Sequence, residues 1–257
     1  MILVKLGGSV ITDKGHYRTF KEDAVRRLAR EIVESGERTI IVHGAGSFGH
    51  VIAKKYALQN GMVSEDQVKG ISQVTWDVRE LDTLFIKALS DEGMEAVSIV
   101  PGSSAALREG KLCSLDVGKF SDYFALGVTP VTFGDVVLDE VRGIGICSGD
   151  QLMARLAEEL RPKKVIFVTD VDGVFTCDPR LDGKAKLIKE IDREVLDNLP
   201  RSEWCDDVTG SIFAKLEYML GIASMTEEVM IINGNEPGRL KAALSGSDLI
   251  CSRVRGV

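Results

Sequence analysis

The sequence predicts an α/β protein: a mostly parallel sheet with helices on both faces, a three-layer αβα arrangement. Three observations carry this expectation. Short apolar runs alternate with longer amphipathic stretches from one end of the chain to the other. The runs at residues 39–42, 165–169 and 229–232 are apolar without alternation, as strands buried on both faces are. Glycine clusters follow several of these runs directly, which ends a strand in a tight loop.

Residues 2–6 form the first strand, closed by Gly7-Gly8-Ser9. Thr19-x-x-Glu22 reads as a capping box. Phe20, Ala24, Val25, Leu28, Ala29, Ile32 and Val33 then repeat at helical spacing, until Gly36 stops the helix. Residues 39–42 are the next strand, followed by a glycine-rich turn and a helix to about Tyr56. A long helix over residues 64–92 precedes a strand at 96–100. Residues 121–126 read as helix, 129–133 as strand and 136–146 as a hairpin-like excursion. Asp150 caps a helix over residues 151–160, and residues 165–169 are a buried strand. A loop and helix at 206–220, a strand at 229–232, a short helix at 239–244 and a last strand at 249–254 complete the chain. No linker, repeat or low-complexity segment divides it, so residues 1–257 are expected to form one domain.

Bulk composition bounds the function. A hydrophobic fraction of 44% with 28% charged residues is that of a globular protein with a full core. The net charge of −7 disfavours a nucleic-acid partner, which needs a basic face. It leaves room for a local basic pocket and a small anionic ligand. The five cysteines are scattered and odd in number, and no secretory segment precedes them, so reduced thiols in a cytoplasm are expected. No apolar run approaches the roughly 20 residues of a membrane span, so no membrane partner is expected.

In open α/β sheets ligands bind at the carboxyl ends of the strands, where the glycine loops of this chain fall. Lys5-Leu-Gly7-Gly8-Ser9 is either a Gly-Gly turn beside a snorkelling lysine or a nest of N–H groups aimed at an anion. It is not a Walker A loop, whose spacing is absent from the chain. His43 to His50 contains Gly44-x-Gly46-x-x-Gly49, the spacing of a dinucleotide fingerprint. That fingerprint wants an acidic residue about 20 positions on, at a strand end. Here the position falls at Glu65 and Asp66, after a segment that is not a strand, so an NAD-dependent oxidoreductase is disfavoured. What survives is a glycine turn and a helix N-terminus suited to an anion.

His50 is a capping or packed histidine, or a donor to a bound phosphate; its ordinary pKa of about 6.5 allows the latter. His43 has the simpler reading of a local hydrogen bond. Ser148-Gly149-Asp150 offers an N-cap, or a buried carboxylate that orients lysines. Thr169-Asp170-Val171-Asp172-Gly173 is a hairpin turn or part of a site, and its spacing excludes an EF-hand. Asp207-Val-Thr-Gly210-Ser211 leads into a helix carrying Lys215. Each loop alone is weak. Together with Lys5, Lys14 and Lys215 near strand ends they form a specific constellation.

This set of motifs, in this order and over essentially the whole chain, resembles the amino acid kinase family. Gly-Ser-Phe-Gly-His50 with Thr12-Asp13-Lys14 is similar to the isopentenyl phosphate kinase branch of that family. The resemblance implies an amino acid kinase-like fold, with the acceptor site in the N-terminal part and the nucleotide site in the C-terminal part. It also implies ATP with Mg2+ and isopentenyl phosphate as substrates, and a homodimer. Carried onto this chain, it has Lys5, Gly7, Gly8 and Ser9 bind the ATP phosphates, with Lys5 near the transferred group and Lys14 stabilising the transition state. Ala45 and Gly46 contact phosphates through backbone N–H groups, His50 and Gly149 belong to the acceptor, and Asp150 orders the lysines. Asp170, Gly210 and Lys215 lie on the nucleotide side. One departure is visible: Ser211 stands where the family commonly has a second glycine.

A five-carbon tail is worth on the order of 4 kcal/mol if buried, so a dry pocket is expected beside the acceptor phosphate. Val74, Trp76, Val78, Phe133 and Ile146 are its candidate walls. Two alternatives share the scaffold: a kinase of another phosphate or phosphonate such as fosfomycin, and a non-catalytic sensor. The joint presence of Lys5, Lys14 and Asp150 disfavours the sensor.

Overall fold

Strand β1 (Ile2–Leu6) and the one-turn helix α1 (Gly8–Ile11) lead to α2 (Glu22–Ser35), β2 (Thr39–His43) and α3 (Gly46–Lys55). A 3-10 turn at Leu58–Asn60 precedes the long helix α4 (Gln67–Asp91). Next come β3 (Ala96–Ser98), α5 (Pro101–Ser104), the hairpin β4 (Ala105–Arg108) and β5 (Lys111–Leu115), α6 (Val117–Ala125) and β6 (Thr129–Phe133). A second hairpin, β7 (Asp135–Asp139) and β8 (Gly143–Cys147), runs into α7 (Gly149–Leu160) and β9 (Lys164–Thr169). The rest is β10 (Val174–Phe175), β11 (Leu187–Ile188), β12 (Glu190–Ile191), α8 (Arg193–Asn198), α9 (Ile212–Ala223), β13 (Glu228–Asn233), α10 (Arg239–Ser245) and β14 (Ser252–Val254). This structure, a computed structural model, describes residues 1–177, 179, 183–200 and 212–256.

Eight strands form the main sheet in the order β12-β14-β13-β9-β1-β2-β6-β3. From β13 to β3 every pairing is parallel, whereas β14 runs antiparallel to β13. The chain winds outward from β1 to β2 in one direction and from β9 to β13 in the other, so the sheet reverses its winding at β1. Crevices open at such reversals.

Alternate residues of β1 face opposite layers. Ile2, Val4 and Leu6 pack with Val25, Leu28 and Ile32 of α2 and with Leu81 and Phe85 of α4. Leu3 packs on the other side with Leu152 and Leu156 of α7 and Leu216 of α9. The expected three layers are thus present, and the same alternation turns Lys5 toward the α7 side. A third apolar cluster, including Ala53, Val74, Val78, Val136 and Ile144, joins α3 and α4 to the second hairpin.

Several local expectations are corrected. The capping box does not form: α2 begins at Glu22 after Lys21, with no side-chain cap. The Thr19 hydroxyl instead donates to the Tyr17 carbonyl. Asp150 is not an N-cap, because Ser148 fills that place and accepts from the Gln151 amide. Helix α6 begins at Val117, before the predicted position. The hairpin of β4 and β5 was not foreseen; it joins β7 and β8 in a separate four-stranded sheet. Asp139 ties that sheet together, accepting from Glu109 and Gly110 of one turn and Val141 and Arg142 of the other. No helix among the described residues is long and apolar enough to cross a membrane.

Candidate active site

The first two glycine loops are packed directly on one another. A Cβ on Gly8 would lie 2.6 Å from the Gly46 Cα, and one on Gly44 would lie 2.6 Å from the Gly8 nitrogen. Gly46 has φ +49, a conformation side chains disfavour, and its Cα faces Thr12. The Thr12 hydroxyl joins the loops, donating to the Gly8 carbonyl at 2.6 Å and accepting from the Ser47 amide at 3.0 Å. The spacing Gly44-x-Gly46-x-x-Gly49 therefore answers to close packing, since Gly49 in turn lies against Ala45 and Val78. Neither α1 nor α3 carries a side-chain cap on its N-cap residue. Two helix N-termini thus meet at one place, where backbone donors and dipoles favour an anion.

Lys5 crosses the start of α7 in close contact: a Cβ on Gly149 would lie 3.1 Å from the Lys5 Cε and press on it. Its ammonium meets the Asp150 carboxylate at 2.5 Å, and Asp150 is 3% exposed. Lys14 reaches across to Asp170 at 4.0 Å, both side chains being partly open to solvent. Asp150 thus holds Lys5, while the carboxylate facing Lys14 is Asp170. Ser9 and Lys215 also line the cavity. Gly210 and Ser211 lie outside the described residues.

His50 is the fifth residue of α3, one turn beyond its start. It lines a cavity of about 270 Å³ that also takes in Lys5, Lys14, Ala45, Gly46, Gly149, Asp150 and Asp170. Near His50 the lining includes Ala53, Val74, Val136 and Ile146, which belong to one apolar cluster. Val136 and Ile146 are directly paired across the second hairpin. Of the expected walls, Val74 and Ile146 are there, while Val78 and Phe133 are buried behind in the core. Trp76 is 58% exposed and lies under the Arg18 guanidinium, away from the cavity. Ala53 and Val136 were not foreseen. Ala53 was within reach, three residues after His50 on the same helical face; Val136 needed the hairpin register.

His43 is fully buried, with Nε2 3.2 Å from Asp82 and its ring beside Phe85 and Phe133. It is a core residue. Asp135 lines the cavity, and burial pushes its carboxyl up, opposed by Arg79 at 3.1 Å. Burial and the Asp135 charge push the Cys147 thiol up to about 12, so it stays protonated. Among the described residues no group of three or more His, Cys, Asp or Glu side chains gathers as a metal cage.

A cavity at the carboxyl edge of a parallel sheet, floored by glycine loops and flanked by lysines that carboxylates hold, defines a phosphate-handling α/β protein. The model of the amino acid kinase family matches residues 1–233, and the chain belongs to that family. It is 36% identical to an isopentenyl phosphate kinase of Thermoplasma acidophilum over 93% of this chain and 94% of the relative. With an isopentenyl phosphate kinase of Methanothermobacter thermautotrophicus it shares 35% identity over 100% of this chain and 99% of the other. A solved isopentenyl phosphate kinase structure superposes with a TM-score of 0.88 at 32% identity, covering 99% of each chain.

Proposed function

We propose that this protein transfers the γ-phosphoryl group of ATP to isopentenyl phosphate, giving isopentenyl diphosphate and ADP. The observation that carries the reading is that one cavity takes in both the glycine loops with their lysines and, beside His50, the apolar cluster of Ala53, Val74, Val136 and Ile146. A phosphate ester with a short hydrocarbon tail matches both halves. Five buried carbons contribute on the order of 4 kcal/mol at the apolar end.

Phosphoryl transfer asks a protein for positioning and charge neutralisation more than covalent chemistry. An oxygen of the acceptor phosphate attacks the γ-phosphorus, and the bond to the ADP oxygen breaks. A phosphate monoester has its second pKa near 6, so the attacking oxygen is already anionic at neutral pH and needs no general base. His50 therefore acts as a donor that fixes the acceptor, with Ala45, Gly46 and Gly149 offering backbone donors beside it. Lys5, Gly7, Gly8 and Ser9 hold the transferred group. Lys14 neutralises the transition state, and Asp150 keeps Lys5 aimed. Asp170, Gly210 and Lys215 serve the nucleotide, and Mg2+ enters as part of the nucleotide substrate. The chain works as one domain, the acceptor in its N-terminal part and ATP in its C-terminal part, and as a homodimer in the cytoplasm.

ADP release with isopentenyl phosphate, dimethylallyl phosphate and fosfomycin offered in parallel tests the assignment. Turnover of isopentenyl phosphate is expected, with fosfomycin poor because its three-carbon epoxide buries less apolar surface than a five-carbon tail. Negligible release with all three refutes the reading.

A further inference from the structure

Residues 13–19 leave the site and return to it as a narrow ribbon. Its root is firm: Thr12 faces Phe20 in an antiparallel bridge, the Asp13 amide donates to the Thr19 carbonyl at 2.9 Å, and the Lys21 amide donates to the Ile11 carbonyl at 2.9 Å. Lys14 stands just past this root, facing Asp170, while Tyr17 and Arg18 on the returning limb carry the ribbon's contacts with α4.

Those contacts converge on Asp77, whose side chain is fully buried. Tyr17 donates its hydroxyl to the Asp77 carboxylate. Arg18 brings its Nε to 3.5 Å from the same carboxylate, pairs with Glu80 and lies 4.5 Å over the Trp76 ring. Gln73, one turn earlier on α4, donates to both Asp77 oxygens at 3.1 and 3.2 Å. A buried carboxylate is costly unless it is satisfied, and of these partners all but Gln73 belong to the ribbon. The Arg18 backbone is left-handed, φ 55, a strain that persists only where surroundings impose it. Burial and the Asp77 charge push the Tyr17 hydroxyl up to about 12, so it remains a donor.

We infer that Asp77, through Tyr17 and Arg18, is a latch that fixes the Lys14 ribbon against α4 and so sets the position of the Lys14 ammonium during transfer. Asp77 is a positioning residue, more than a packing one. The inference rests on the proposed phosphoryl transfer.

Tyr17→Phe tests it, removing one hydroxyl from a ring that is 43% exposed. With ATP and isopentenyl phosphate, kcat is expected to fall roughly 10- to 100-fold, as it does when a positioned group shifts by about 1 Å. Both KM values should move less than about threefold, because the loss falls on the transition state. In a Lys14→Ala background the same change should alter kcat by less than about twofold, since residues acting as one unit are non-additive. Amide hydrogen exchange over residues 13–19 should accelerate in Tyr17→Phe and in Asp77→Asn. Unchanged exchange overturns the latch, and so does a kcat loss that persists undiminished in Lys14→Ala. Wild-type inactivity toward isopentenyl phosphate would refute the substrate assignment instead, and the exchange measurement would still decide the latch.

Discussion

Substituting Gly8 by alanine isolates the contact between the two glycine loops. Gly8 is the first residue of α1, and its φ lies outside the left-handed range, so alanine fits the backbone there. The cost comes from across the gap, where the new Cβ would lie 2.6 Å from the Gly46 Cα against about 3.4 Å for ordinary contact. The loops must part by about 0.8 Å. Gly46 is also packed against the Thr12 side chain, whose hydroxyl is bonded to the Gly8 carbonyl, so the two loops are tied together where they must part. If these amides hold phosphate as proposed, a shift of that size is expected to lower kcat/KM by roughly 10- to 100-fold, or about 1.4 to 2.7 kcal/mol of transition-state stabilisation. The control is Gly36→Ala, at the end of α2, where φ is 69 and nothing lies within 4 Å of a new Cβ. It should cost about 1 kcal/mol in urea unfolding, from backbone strain alone, and leave turnover unchanged. Steady-state kinetics and urea melts of the two variants side by side give the answer. Wild-type kcat/KM in Gly8→Ala, or an equal loss in Gly36→Ala, would refute the reasoning.

His50→Ala should raise the acceptor KM by roughly 10- to 100-fold, the worth of one hydrogen bond to a charged group, with ATP affinity unchanged. His50→Gln, which keeps a donor, should retain more activity; a fall in ATP affinity measured by calorimetry would contradict the assigned role. At Asp139, burial raises the carboxyl pKa, but the four backbone donors, that of Arg142 foremost, outweigh it and hold the value at about 2. A depressed carboxylate stabilises the fold above its unfolded value and loses that contribution as pH falls from about 4 toward 2. Asp139→Asn should therefore cost about 2 kcal/mol at pH 7 and flatten the acid limb of the urea-midpoint profile; parallel profiles for the two proteins would count against it.

The strands and the glycine loops were legible because each is a local signal. A doubly buried strand must be apolar at every position, and a loop that approaches another backbone must drop its Cβ. What stayed hidden depends on partners distant in sequence. The Thr19-x-x-Glu22 box fails because the ribbon claims Thr19 first: its hydroxyl donates to the Tyr17 carbonyl and its own carbonyl accepts from the Asp13 amide at 2.9 Å. Trp76 was misplaced for a different reason. Val74, Val78, Leu81 and Phe85 trace the buried face of α4 at helical spacing, and Trp76 falls off that face. Strict periodicity would have sent it to the surface, where it meets Arg18. The hairpin of β4 and β5 escaped because its exposed lysine, cysteine and serine blur the alternation, and its anchor, Asp139, lies some 30 residues away.

The two lysine pairs differ in a way that gives the ribbon its purpose. Lys5 and Asp150 meet at 2.5 Å with side chains only 15% and 4% exposed. Breaking a buried pair leaves an uncompensated charge at a cost of about 3–5 kcal/mol, so Lys5 stays where Asp150 holds it, and in the proposed reaction the phosphate comes to it. Lys14 and Asp170 are 4.0 Å apart with side chains 53% and 32% exposed. Such a pair contributes about 0–1 kcal/mol, so in the proposed reaction an arriving phosphate would take Lys14 from Asp170 at little cost. An ammonium that weakly held by charge cannot be positioned by charge. Its placement has to come from the backbone that carries it, and that backbone is fixed where Tyr17 and Arg18 meet the buried carboxylate of Asp77.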